Sequence, residues 1–168
     1  MTDENHPCVT VIGVGNVDRA DDGVGVAVAR AVAQRVGPEV HVIEERGEVS
    51  RLMDAWDCVD VAILIDAVVS SHKPGTVHVF EAHEKPIEAD VFCCSTHAMG
   101  LLEAMELARA LGQFPGQMIV CGIEGKQFEP GAAMSPEVQA AIPGLVDQIC
   151  ERISRLRSCA AAGGIPHA

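Results

Sequence analysis

Aromatic residues and positive charges are both scarce in this chain of 168 residues. Aromatics make up 3% of the sequence and tyrosine is absent, which argues against stacking on nucleic-acid bases. The chain has 12 Lys and Arg against 24 Asp and Glu, a formal net charge of -12. Nucleic-acid binding requires clustered cations, and an anionic membrane surface repels an acidic protein. We therefore expect neither nucleic acid nor membrane as a partner.

Disulfide and targeting signals are also missing. The seven cysteines are odd in number and contain no Cys-x-x-Cys motif. The N-terminal residues MTDENHPC show no basic segment followed by an apolar one, so they do not resemble a secretory signal. No uncharged apolar run approaches the roughly 18 residues that a membrane helix needs. These features predict reduced thiols and a cytoplasmic location.

The apolar residues, 48% of the chain, follow alternating strand and helix patterns. Strands are predicted at 8–15, 39–45, 59–68, 76–82 and 117–125, and helices at 22–36, 48–57, 97–113 and 134–157. The strand at 59–68 is the most continuous and should be central, whereas 76–82 should be an edge strand. This order predicts an α/β fold, a single domain with a mostly parallel five-stranded sheet and helices on both faces. We expect the domain to span 1–157, followed by a mobile tail at 158–168.

Two of the helix patterns make finer predictions. The third helix should bury one stripe, composed of Leu101, Ala104, Met105, Ala108 and Leu111. In the fourth helix, Ser135 is the expected N-cap, with Pro136 in the first turn. Pro143 lies inside the same pattern and is expected to kink or break the helix.

The segment TVIGVGNVDRADDGVGV, residues 10–26, begins like a nucleotide-binding turn. However, Asp18 occupies the place where the fingerprint G-x-G-x-x-G requires its third glycine. Two carboxylates, Asp21 and Asp22, then stand at the helix start, where a phosphate would need bare N–H groups. Nucleotide binding is therefore the weaker hypothesis. One of the two aspartates is expected to cap the helix, which leaves the other unexplained.

Asp66 and His97 stand at similar places on later elements. Asp66 ends the most apolar strand, where a charge must be paired, hydrogen-bonded or metal-bound; fixing the following loop is the structural alternative. His97 begins the third helix, and a surface histidine beside a helix cap is its alternative. Sites in such folds form at the carboxyl ends of the strands. Asp22, Asp66 and His97 could there form a three-ligand metal site with open positions.

Cys93 and Cys94 support two rival hypotheses because they lie close to His97 in sequence. One is a nucleophilic Cys–His pair, and the other is a thiolate metal site. Buried, inert thiols are the more common role of free cysteines, so neither rival is favoured.

Four blocks, in order and spacing, resemble the hydrogenase maturation proteases, the endopeptidases that process the large subunit of [NiFe] hydrogenases. The blocks are GVGNVDRADDGVGV, LIDAV, STHAMGL and GIEGKQFEPGAAMSPEV, and the similarity extends over roughly residues 8 to 150. After the second strand, many relatives have an Asp-Gly-Gly-like stretch. This chain instead has the sequence EERGE, residues 44–48.

The resemblance implies a nickel-dependent endopeptidase that removes a short C-terminal peptide from the large-subunit precursor of a [NiFe] hydrogenase after nickel insertion. The nickel belongs to the substrate, so the isolated protein need not retain metal. The family's catalytic, metal-contacting residues correspond to Asp22, Asp66 and His97, and Glu44 is a candidate secondary carboxylate. A non-enzymatic, metal-gated binding module for the large subunit is the alternative. The resemblance assigns no oligomeric state.

Overall fold

The computed structural model describes residues 6–87 and 98–161, which form five strands and four α-helices. The strands are β1 (Val9–Val14), β2 (Val40–Glu45), β3 (Val61–Val68), β4 (Val77–Glu81) and β5 (Gln117–Glu124). The helices are α1 (Val24–Ala33), α2 (Val49–Trp56), α3 (Ala98–Leu111) and α4 (Pro136–Ala161). A 3-10 turn, Ala20–Gly23, precedes α1. The predicted order of elements is confirmed.

The strands form one sheet in the order β2-β1-β3-β5-β4. The first four strands in that order are mutually parallel, and β4 pairs antiparallel with β5 at the edge. Every residue of β3 is buried, as expected of a central strand covered on both faces. The predicted single α/β domain, with its mostly parallel five-stranded sheet and its edge strand at 76–82, is confirmed.

Helices cover both faces of the sheet, as predicted. One face packs against α1 and α4, through buried residues that include Val28, Val32, Leu145 and Ile149. The other packs against α2 and α3, through Leu52, Trp56, Leu101 and Met105. Because alternate residues of a strand point to opposite faces, the same strands supply apolar side chains to both cores.

Two details of the helices differ from the predictions. Leu111 does not belong to the buried stripe of α3, since it is 59% exposed. It is the last residue of the helix and lies beyond the buried turn that ends at Ala108. Pro143 does not break α4, which runs unbroken from Pro136 to Ala161. The proline is exposed, so the carbonyl that loses its helical partner can bond to water.

At its C-terminal end, α4 reaches Ala161, four residues into the segment predicted as a tail, and residues 162–168 lie outside the described part of the chain. Within the described ranges, no helix combines the length and the apolar character needed to span a bilayer.

Gly25 allows α1 to lie directly on the ends of two strands. A Cβ at this position would lie 2.3 Å from the backbone oxygens of Val14 and Ile65. We therefore expect Gly25→Ala to lower the free energy of unfolding by about 1–3 kcal/mol or more, as measured by urea denaturation. Gly144→Ala in α4 is the matched control, because nothing lies within 4 Å of its Cβ position.

The control substitution should raise the free energy of unfolding by about 0.5–1 kcal/mol, since alanine is the better helix former. Similar changes in both variants would show that close packing at Gly25 does not constrain the fold.

Candidate active site

The loop after β1 folds against its own backbone and holds the turn Ala20–Gly23 at the carboxyl edge of the sheet. Gly15 has a φ of +140°, and a Cβ there would lie 1.9 Å from the backbone oxygen of Asp22. Only glycine fits this position. The Oδ1 of Asn16 accepts a hydrogen bond from the N–H of Asp18 at 3.0 Å and so supports the loop locally. The glycine turn therefore serves close packing around Asp22.

Asp21 is fully buried and anchors a distant loop. Its carboxylate accepts backbone N–H bonds from Lys126 at 2.9 Å, Gln127 at 3.0 Å and Ser135 at 2.6 Å. The hydroxyl of Ser135 also donates to it, at 2.8 Å to Oδ2. The N-cap of α1 is Gly23, and no side chain caps it. The expectation that one of the two aspartates caps this helix is therefore wrong, because the donors for Asp21 lie more than 100 residues away in sequence.

The same contacts set the ionisation of Asp21. Burial opposes its negative charge, but the donors on Lys126, Ser135 and Gln127 outweigh burial and hold the pKa of Asp21 below its ordinary value. Ser135 does precede α4, and its backbone oxygen accepts the N–H of Gln139. Its hydroxyl, however, is directed to Asp21. One of the two consecutive carboxylates is thus a structural anchor.

Asp22 follows on the same 3-10 turn and is only 2% exposed. This turn packs against β3. The approach is close, because Gly25 lies against the backbone oxygen of Ile65, the residue that precedes Asp66. The fold therefore brings Asp22 and Asp66, which are 44 positions apart in the sequence, to neighbouring places at one edge of the sheet.

Asp66 lies within β3 and is completely buried. Its Oδ1 accepts the N–H of Ala67 at 2.8 Å. Strand alternation puts its side chain on the face of Leu64 and Val68, which is covered by α2 and α3. A carboxylate in this position must be held by hydrogen bonds, an ion pair or a metal.

The third predicted residue, His97, lies outside the described residues, as do Cys93 and Cys94. The two Cys–His hypotheses therefore stay predictions. The helix that follows, α3, has its first turn on the loop after β2, since a Cβ at Gly100 would lie 2.3 Å from the backbone oxygen of Gly47. The helix α3 thus begins at the carboxyl edge of the sheet.

Glu44 forms a surface ion pair. Its two oxygens accept hydrogen bonds from Nε and Nη2 of Arg30, both at 2.8 Å, and its side chain is 45% exposed. The bond from Arg30 lowers the pKa of Glu44. This pairing accounts for the carboxylate without a role in the site.

Cys121 is buried in β5, and burial raises the pKa of its thiol to about 12. Such a thiol does not form the thiolate that a nucleophile requires.

One further buried acid escaped the sequence analysis. Glu124 ends β5 and is 1% exposed. A charged residue at the end of an otherwise apolar strand is the signal that identified Asp66, and the same signal in QMIVCGIE would have identified Glu124. The partners of Glu124 come from the neighbouring β3–β4 loop and β4, which sequence spacing does not connect.

Sites in mostly parallel α/β folds form at the carboxyl ends of the strands, and buried carboxylates of this chain lie at that edge. The chain belongs to the hydrogenase maturation protease family, whose model (HycI) matches residues 9–152. It is therefore an endopeptidase, a hydrolase of peptide bonds, and the resemblance seen in the sequence is confirmed.

Individual relatives agree with this assignment. The hydrogenase 2 maturation protease of Escherichia coli (strain K12) is 30% identical over 146 residues, which cover 84% of this chain and 87% of that protein. The solved structure of the hydrogenase maturating endopeptidase HybD from E. coli has a TM-score of 0.74 at 27% identity, covering 88% of this chain and 92% of that one. The [NiFe] hydrogenase maturation protease HybD from Thermococcus kodakarensis has a TM-score of 0.66 at 25% identity, with coverages of 86% and 97%.

The role of Asp21 predicts a pH-dependent loss of stability in Asp21→Asn. The lowered pKa means that the carboxylate stabilises the fold fully above its unfolded pKa of about 3.9 and progressively less as the pH falls through the folded value. At pH 7 the variant should lose about 2–4 kcal/mol in free energy of unfolding, because several charge-assisted hydrogen bonds are weakened. The difference from wild type should narrow below about pH 4.

Urea denaturation at a series of pH values measures this difference. Asp54→Asn, on the exposed surface of α2, is the control and should stay within about 0.5 kcal/mol of wild type at neutral pH. A loss in Asp21→Asn that is constant from pH 7 to acid would contradict an ionised anchor.

Proposed function

We propose that this protein removes a short C-terminal peptide from the large-subunit precursor of a [NiFe] hydrogenase after nickel has been inserted. The observation that carries the proposal is the pair of buried carboxylates, Asp22 and Asp66, on neighbouring elements at the carboxyl edge of the sheet. Family membership over residues 9–152 and the relatives named for hydrogenase maturation support it.

In this proposal the nickel is part of the substrate, where cysteine thiolates of the large subunit hold it. Asp22, Asp66 and His97 contact this nickel from the protease side. Carboxylate and imidazole donors suit a divalent nickel ion, and a small number of protein ligands leaves positions for the substrate's own thiolates. Contact between protease and precursor would thus depend on the metal being present.

The peptide bond is hydrolysed close to that metal. The attacking water would either give its proton to a carboxylate that acts as general base, or bind the metal, which would lower its pKa so that it releases the proton to solvent and attacks as hydroxide. In both cases the carboxylates must be held in a fixed geometry. The anchored loop at Asp21 and the close packing at Gly15 and Gly25 restrict the turn that carries Asp22, so little reorganisation is needed when the substrate binds.

The test is the intact mass of a nickel-loaded large-subunit precursor after incubation with this protein, beside a nickel-free precursor. We expect loss of one C-terminal peptide in the nickel-loaded sample only. Asp22→Asn, Asp66→Asn and His97→Ala should slow cleavage at least about 100-fold, because each removes a group placed at the reacting centre. Glu44→Gln is the matched control, since its carboxylate is paired with Arg30 on the surface, and it should cleave at the wild-type rate.

Each other outcome has a distinct meaning. Cleavage of the nickel-free precursor would show that the reaction does not depend on nickel. Tight nickel-dependent binding without a change in mass would favour the binding module. Wild-type cleavage by both Asp66→Asn and His97→Ala would refute the site, provided that circular dichroism shows folded variants.

A further inference from the structure

His72, His78 and Glu124 form a second cluster at the carboxyl end of β5. We propose that this cluster is a binding site for a divalent transition metal held by the chain itself, separate from the metal of the substrate. One ligand atom from each of the three residues lies within 4.8 Å of the other two. Two imidazoles and one carboxylate are a donor set of three-ligand zinc sites.

The register of the sheet fixes where this cluster lies. His78 in β4 pairs with Gly122 in β5, which in turn pairs with Asp66 in β3. These positions form one row on one face. Two strand spacings separate the Cα atoms of Asp66 and His78, which are about 9–10 Å apart along the row. Glu124 lies two residues beyond Gly122 on the same face. The second cluster is therefore a neighbour of Asp66 and shares no ligand with it.

Glu124 is held in place as a metal-binding carboxylate usually is. It is 1% exposed, and both of its oxygens accept hydrogen bonds from Ser70. The backbone N–H of Ser70 donates to Oε1 at 2.6 Å and its hydroxyl donates to Oε2 at 2.8 Å. These neutral donors orient the carboxylate and leave its charge uncancelled. Outer hydrogen bonds of this kind are typical of groups that bind metals.

His78 supplies the second donor at a distance that suits a shared ion. Its Nε2 is buried and forms no hydrogen bond within the described residues, yet it lies 3.4 Å from Oε2 of Glu124. Two ligands bound to one zinc ion at 2.0–2.1 Å in tetrahedral geometry lie about 3.3–3.4 Å apart. A charge-assisted hydrogen bond would bring the same atoms to about 2.7–2.9 Å.

His72 completes the set from the loop between β3 and β4. Its Nδ1 lies 3.0 Å from the hydroxyl oxygen of Ser70, so one serine orients both His72 and Glu124. The rings of His72 and His78 meet edge to face with their centroids 4.8 Å apart. His72 is exposed, which gives an ion access from solvent to the buried carboxylate.

The donor chemistry selects the class of ion. Mg²⁺ and Ca²⁺ prefer oxygen ligands throughout, whereas imidazole nitrogen together with carboxylate suits Zn²⁺ or Ni²⁺. Three protein ligands leave at least one coordination position open. Because His72 lies on a loop and the other two ligands lie on strands, a bound ion would tie the β3–β4 loop to the sheet beside Asp66.

The test is metal binding by the full chain alone, stripped with a chelator that is then removed. Equilibrium dialysis against Zn²⁺ and, separately, Ni²⁺ should show a site that Mg²⁺ does not fill. His78→Gln and Glu124→Gln should weaken its affinity more than about 100-fold, and Ser70→Ala, an outer partner, about 10- to 100-fold. His41→Gln is the matched control, since His41 is an exposed histidine on β2 at the opposite edge, and it should bind like wild type.

Asp66→Asn separates the two sites, because it should retain this ion. Loss of binding in Asp66→Asn together with retention in His78→Gln would place the ion at the other site and overturn the proposal. So would absence of Zn²⁺ and Ni²⁺ binding in wild type, which would reduce the cluster to an ion pair.

Thermal melting tests whether a variant loses metal binding only because it is unfolded. The metal-free variants should melt close to the metal-free wild type, while added metal should stabilise wild type and His41→Gln but not His78→Gln. Equal stabilisation of His78→Gln would also overturn the proposal. No hydrogenase precursor is needed, so this proposal and the proposed function can fail independently.

Discussion

The carboxylate of Asp21 joins two loops that lie far apart in sequence, and the geometry of the active edge depends on it. The segment around 125–135 donates three backbone N–H groups and one hydroxyl to this buried charge. A second set of backbone bonds runs alongside, from Asp21 N–H to Gln127 and from Gly131 N–H to Asp18. A buried charge without such donors would be strongly unfavourable, so the loop and the turn can only be stable together. Asp22 lies on the turn that these hydrogen bonds hold in place.

Several acidic residues lie at the carboxyl edge of the sheet because of how a parallel sheet is built. Parallel strands require crossover helices, so their carboxyl ends emerge at the same side of the molecule. In this chain the apolar strand β3 contains Asp66 and the apolar strand β5 ends in Glu124, while Asp21 and Asp22 lie on the turn after β1. All four are almost fully buried. Hydrogen bonds compensate the cost of burying the charge of Asp21, and Ser70 donates two such bonds to Glu124. Burial alone therefore does not distinguish a structural acid from a functional one.

The fold and part of the site follow from local patterns in the sequence. Continuous apolar runs indicate the strands, and the low polarity around Asp66 is enough to predict a buried charge there. The role of Asp21 could not be predicted, because two adjacent aspartates look alike in sequence and their partners lie over 100 residues away. The expectation that Pro143 would break α4 is wrong for a related reason, since the cost of proline depends on whether the freed carbonyl faces water. The cluster of His72, His78 and Glu124 depends on the β4–β5 register, which spacing does not reveal.

That register also decides how the two candidate sites relate to each other. Metal ions that act together on one substrate bond are about 3.5–4 Å apart in two-metal sites. Asp66 and His78 are separated by two strand spacings, about 9–10 Å, with Gly122 between them. An ion held by His78 and Glu124 would have its own protein ligands, because Asp66 does not belong to the group of mutually close ligand atoms that His72, His78 and Glu124 form. The β3–β4 loop connects the two places in sequence, since it follows the strand of Asp66 and carries Ser70 and His72. A structural or positioning role for the second site is consistent with separate sets of ligands.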